Sequence, residues 1–142
     1  MTEALLRALD QRAATGNPAK LWLRDDDAIA PTTALDHLLA LTEAAEIPVT
    51  LAVIPAHSGP ALATRLDAAT GVSVAVHGWS HTNHAPASEK KQELGPHRPA
   101  AQVLAELAQG FHHLARLHPH QFTPALVPPW NRIAPQVVTG LP

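Results

Sequence analysis

Short apolar runs alternate with longer helix-like stretches along this chain, and that alternation points to an α/β protein built on parallel strands with flanking helices. The strand candidates are Lys20–Arg24, Val49–Ile54, Val72–Val76 and Ala125–Val127. Between the first two, Thr33–Glu46 carries Leu35, Leu38, Leu39 and Leu41 on an apolar face, with Thr32 or Thr33 as cap and Pro48 as stop. Ser58–Ala69 reads as a short Ala-rich helix that leaves through Gly71. Pro99–Leu117 reads as a longer one, with Val103, Leu104, Leu107, Phe111 and Leu114 at helical spacing. The strand-then-helix period of about 25 residues repeats without sequence repetition, which implies successive βα units in one domain, 1–142.

In parallel α/β folds, ligands bind at the carboxyl ends of the strands. The polar clusters of this chain follow its strand candidates. Asp25, Asp26 and Asp27 come after the first, Pro55 to Ser58 after the second, His77 to His84 after the third, and Pro128-Pro129-Trp130-Asn131-Arg132 after the fourth. His77 and His81 are four apart, a spacing that on one helical turn aims two imidazoles at a single divalent ion. With ten histidines in 142 residues, some such pairs arise by chance. Three adjacent aspartates are harder to dismiss, because like charges beside a buried strand need a cation, a proton or an arginine to compensate them. His57 and Ser58 read as turn and cap residues, and His112 and His113 as surface or partly buried helix residues. The segment Ala85–Pro99, with Glu89, Lys90, Lys91 and Glu93, reads as an exposed excursion whose charges are solvated.

Composition narrows the chemistry. There is no cysteine, so any metal must be held by His, Asp or Glu. A net charge of −2, with no Lys/Arg cluster and few aromatics, argues against a nucleic-acid surface or an anionic-membrane patch. The opening MTEALLRALDQRAATG is charged and helical in pattern, unlike a signal peptide, and no apolar run approaches membrane-spanning length; cytoplasmic residence is the expectation.

Three ordered motifs resemble the polysaccharide deacetylase superfamily, the family 4 carbohydrate esterases and their relatives. They are Asp26-Asp27 within LRDDDA, His77 and His81 within HGWSH, and Pro129-Trp130 within VPPWNR. The resemblance implies a distorted (β/α) barrel that deacetylates N-acetylated sugars with a divalent metal, zinc foremost. It makes Asp27, His77 and His81 the metal ligands and Asp26 the general base; Pro129 and Trp130 are the candidate substrate-binding residues, with Trp130 either a sugar-stacking wall or a cap on the barrel. A cation held by two imidazoles and a carboxylate keeps open positions for water and an acyl oxygen, and His₂Asp also suits nickel or cobalt. Which aspartates act stays open, since strand alternation puts Asp25 and Asp27 on one side.

The chain also departs from the pattern. Gly78 stands where many members have Ser or Thr, and Val127 or Pro128 where they have an arginine that orients the base. Arg24 or Arg132 are candidate substitutes, with a bridge inside its own acidic cluster the simpler reading for Arg24. A closed barrel of this class needs roughly 200 residues, so the chain reads as a partial or truncated (β/α) barrel, the N-terminal half. No histidine follows His120 to serve as general acid. Truncation, a shortened product, or a homodimer that supplies the missing wall would each account for this. The competing readings are a metal-dependent deacetylase acting on a carbohydrate or small-molecule amide, an inactive metal- or sugar-binding homologue, and a small α/β interaction module.

Overall fold

The computed structural model describes residues 2–142. Its elements run α1 (Thr2–Ala14), β1 (Leu23–Ala28), α2 (Thr33–Ala44), β2 (Val49–Val53), α3 (Pro60–Asp67), β3 (Val72–Val76), α4 (Ala100–Leu117), β4 (Phe122–Leu126) and α5 (Pro135–Thr139). Short 3₁₀ turns at Pro55–His57 and Pro129–Asn131 follow β2 and β4. The strands form one parallel sheet in the order β1-β2-β3-β4. Parallel crossovers share one hand, so strands laid down in chain order keep their helices on a single face, as in the wall of a barrel.

Packing agrees with that topology. Val49, Leu51, Val53, Val74 and Val76 form the main core with Leu35 and Leu39 of α2, Leu62 and Leu66 of α3, and Leu114 of α4. Fully burying one such side chain contributes about 1.5–3 kcal/mol. The alternate residues Ala52 and Ala75 point to the opposite face, where they pack with Val127. A second core joins Leu94, Val103, Leu107, Ala134 and Val137, tying the segment before α4 and the short α5 to the N-terminal half of α4, on the same helical stripe as Leu114.

Two strand boundaries differ from the sequence expectation. The first strand is Leu23–Ala28, so the three aspartates lie within it. The most apolar residues of that stretch, Leu21 and Trp22, are 85% and 63% exposed. β1 is an edge strand, and pairing with β2 chose its register where hydropathy alone favoured the earlier residues. The fourth strand is displaced the other way and begins earlier than expected, at Phe122. Thr32 caps α2, its side chain accepting from the Leu35 N–H at 3.1 Å. α1 forms where the sequence pattern places a helix, but none of its residues is buried.

Candidate metal centre

On β1, Leu23, Arg24, Asp25 and Asp26 pair in step with Val49, Thr50, Leu51 and Ala52, and the register then shifts so that Ala28 meets Val53. Asp27 is the extra residue of this bulge, with φ 70°, a conformation that Asp tolerates better than most residues. The expectation that Asp25 and Asp27 share a side is therefore corrected. Asp25 pairs with the core residue Leu51, whereas Asp26 pairs with Ala52 of the opposite face, and the bulge turns Asp27 out at the same level. Partial burial, then the charges of Asp26 and Asp27, raise the Asp25 pKa above the ordinary carboxylate range. Arg24 holds Asp26 with two contacts, Nε to Oδ1 at 2.7 Å and Nη2 to Oδ2 at 3.1 Å.

His77 directly follows β3 and is 2% exposed. Its backbone N–H donates to the Val53 carbonyl at 2.9 Å, extending the sheet by one residue. Its ring Nδ1 lies 2.9 Å from the Val127 carbonyl. A carbonyl only accepts, so Nδ1 carries a proton, and it is Nε2 whose lone pair the ring can offer to a cation in the site. The helical turn expected for His77 to His81 is absent: the two residues belong to a loop, with Gly78 at φ 64° and His81 at φ 56°. Two left-handed residues fold that loop back on itself, and their imidazole centroids come within 5.1 Å.

The loop is held by Glu93. This carboxylate is 1% exposed and accepts from the backbone N–H groups of Ser80 (2.7 Å), Trp79 (3.2 Å) and His81 (3.1 Å). The Ser80 hydroxyl adds a fourth bond at 3.2 Å. The expectation that the charges of Ala85–Pro99 are solvated fails at this residue. Buried Leu94 and its bridge to Ile133 pin the segment, so the neighbouring acid faces inward. Read linearly, Glu93 is one charge in a charged loop; the adjacent apolar Leu94 was the only local sign of anchoring.

The bulge and the loop bring Asp27, His77 and His81 together, their candidate ligand atoms all within 4.8 Å of one another. Asp27 Oδ1 lies 3.1 Å from His77 Nε2 and 3.3 Å from His81 Nε2. Two donors bound to one tetrahedral zinc at ordinary bond lengths lie about 3.3 Å apart, so the donor set fits a divalent ion. With the His77 proton on Nδ1, carboxylate oxygen and ring nitrogen are both acceptors facing each other, a contact that needs a cation or an added proton between them. Trp130 packs on His81, ring centroids 4.2 Å apart, from a backbone at φ 52°. The preceding residue, Pro129, is buried. Arg132 bonds the carbonyls of Trp130 and Lys91, so of the two candidate arginines it is Arg24 that pairs with Asp26. His113 reaches the Ser58 carbonyl at 3.2 Å, and His57 and His112 are exposed; none joins the cluster.

No protein-family model matches the chain, and no curated protein matches it in sequence. Solved structures do match in fold. A family 4 carbohydrate esterase from Streptomyces lividans, in complex with acetate, superposes with a TM-score of 0.62 at 20% identity over 84% of this chain and 55% of its own. A family 4 acetyl xylan esterase from Clostridium thermocellum, in complex with a cobalt ion, gives 0.61 at 16% identity over 84% and 53%. The deacetylase PplD of Streptococcus pyogenes, in complex with acetate, gives 0.59 at 17% identity over 98% and 58%. The chain thus has the fold of the family 4 esterases and spans about half the length of these structures.

Proposed function

We propose, from the fold shared with family 4 carbohydrate esterases, that this chain carries the metal half of a hydrolase site that removes an acetyl group from an N-acetylated carbohydrate or related amide. One observation carries the reading: Nε2 of His77 and of His81 converge on one oxygen of Asp27, with the His77 tautomer set by the Val127 carbonyl. These three residues would hold a divalent cation, with zinc the first candidate. When bound, such an ion lowers the pKa of water and polarises an acyl oxygen.

The chain's own residues would do the rest. Asp26, which shares the sheet face of Ala52 and is held by two contacts from Arg24, would accept the proton of the attacking water. Trp130, packed on His81, offers an aromatic wall for a sugar ring or acyl group, and its packing limits the room available to the His81 ring. Glu93 keeps the His81 backbone in place.

The test is metal content by elemental analysis on protein dialysed against chelator and reloaded with zinc, with Asp27→Ala as control. About one ion per chain, lost in the variant, supports the site. Amine release from N-acetylated oligosaccharides then separates turnover from binding alone. Stoichiometric metal retained in both Asp27→Ala and His77→Ala would eliminate this site.

A further inference from the structure

Glu93 combines burial, charge and position in a way that the proposed chemistry leaves unexplained. An ionised carboxylate at 1% exposure must be compensated, and here the donors are three consecutive backbone N–H groups, Trp79 to His81, and one hydroxyl. Among the described residues no Lys or Arg side chain forms an ion pair with it; Arg98 reaches only its backbone carbonyl, at 3.4 Å, and spends its charge on Glu106. The carboxylate gets this close only because residue 78 lacks a side chain. A Cβ at Gly78 would collide with Glu93 Oε2 and lie 2.7 Å from Pro129 Cγ, at a φ of 64° that already favours glycine.

We infer that Glu93 is a positioning residue for the cation site: by clamping the Trp79, Ser80 and His81 amides it fixes the left-handed backbone from which His81 presents Nε2 to Asp27. This rests on the metal reading above. His77 has its own support, a ring bond to Val127 and a place at the end of the sheet, whereas His81 is held at its backbone by Glu93 and at its ring by Trp130. Losing Glu93 should therefore act on cation affinity through His81 alone.

The experiment is a double-mutant cycle read by zinc affinity, using competition with a chromophoric chelator, and by the visible spectrum of the cobalt-loaded protein. Glu93→Gln, which keeps one acceptor oxygen but puts an NH2 donor in place of the other, leaving part of the amide set facing a donor, is expected to weaken zinc about 10–100-fold, the range for groups that support a metal ligand. It should also shift the cobalt spectrum toward that of His81→Ala. In the His81→Ala background the same change should cost nothing further. Unchanged affinity in a folded Glu93→Gln protein, or an equal loss with and without His81, overturns the inference. If the wild type itself takes up no zinc or cobalt, the metal reading fails, and with it the claim about affinity. The clamp has its own readout in the wild type: hydrogen exchange at the Trp79, Ser80 and His81 amides should be far slower than at Thr82. Equally fast exchange overturns it even if Glu93→Gln does not fold.

Discussion

The two halves of the candidate centre are built in opposite ways. The aspartate half sits on an edge strand, on a bulge, with the Asp27 side chain 59% exposed. The histidine half is preorganised: His77 is buried and bonded at both its backbone and ring, and the loop to His81 is gathered around a buried carboxylate. The contrast teaches where precision is spent. Two imidazoles must be aimed by their surroundings, since each offers a single lone pair, whereas a carboxylate offers several and tolerates a looser setting.

The largest effect should come from Gly78→Ala, which attacks the ordered half at its tightest point. Strain at positive φ plus the collision with Glu93 should cost about 2–4 kcal/mol, read from denaturant midpoints, with stoichiometric zinc lost. A next comparison sets His77→Ala against Asp27→Asn. Both should abolish stoichiometric zinc, but only the first should unsettle the fold, by about 1–3 kcal/mol for the orphaned Val127 carbonyl and the vacated space, against about 0.5 kcal/mol or less at exposed Asp27. Equal destabilisation by both would abolish the distinction.

Acid separates loss of the cation from loss of the fold. His118 is 0% exposed, with both ring nitrogens lacking a partner among the described residues, and its pKa is lowered first by burial and then by the His113 charge, against an opposing pull from Asp67. A depressed histidine pKa means that the unfolded chain binds the proton more readily, so stability is fullest above the ordinary value near about 6.5 and falls as pH drops below it. His118→Leu should flatten that acid-side slope in thermal midpoints while leaving zinc binding at pH 7.5 unchanged; an unaltered slope would assign the acid loss elsewhere. The smallest effect is expected from Trp130→Ala, which removes one ring contact on His81 worth about 0.5–1.5 kcal/mol, visible as a several-fold weakening of zinc.

Much of the fold was legible because β2 and β3 are short apolar runs, each broken by a single hydroxyl residue (Thr50, Ser73), and such runs between helical periods have few alternatives. Asp27, His77 and His81 were legible as candidates from residue type and order. The helical turn for HGWSH was misplaced because a four-residue spacing serves a helix and a folded loop alike, and only the left-handed backbone at Gly78 and His81 tells them apart. The β1 boundary slipped because Leu21 and Trp22 look like strand core, yet β2 offers its partners to the acids that follow. Glu93 was illegible as a site residue, since its role depends on four donors 12 to 14 residues away in the chain.

By itself the amino-acid sequence determined the alternating βα order, the cysteine-free donor chemistry and the three clusters from which the candidate centre is drawn, because these follow from local periodicity and residue type. Tertiary structure alone decided which two of three aspartates face the site, which tautomer His77 adopts and which acid holds the loop. Each of those choices depends on a bond to a residue distant in sequence, and no local pattern encodes which distant partner the folded backbone will bring near.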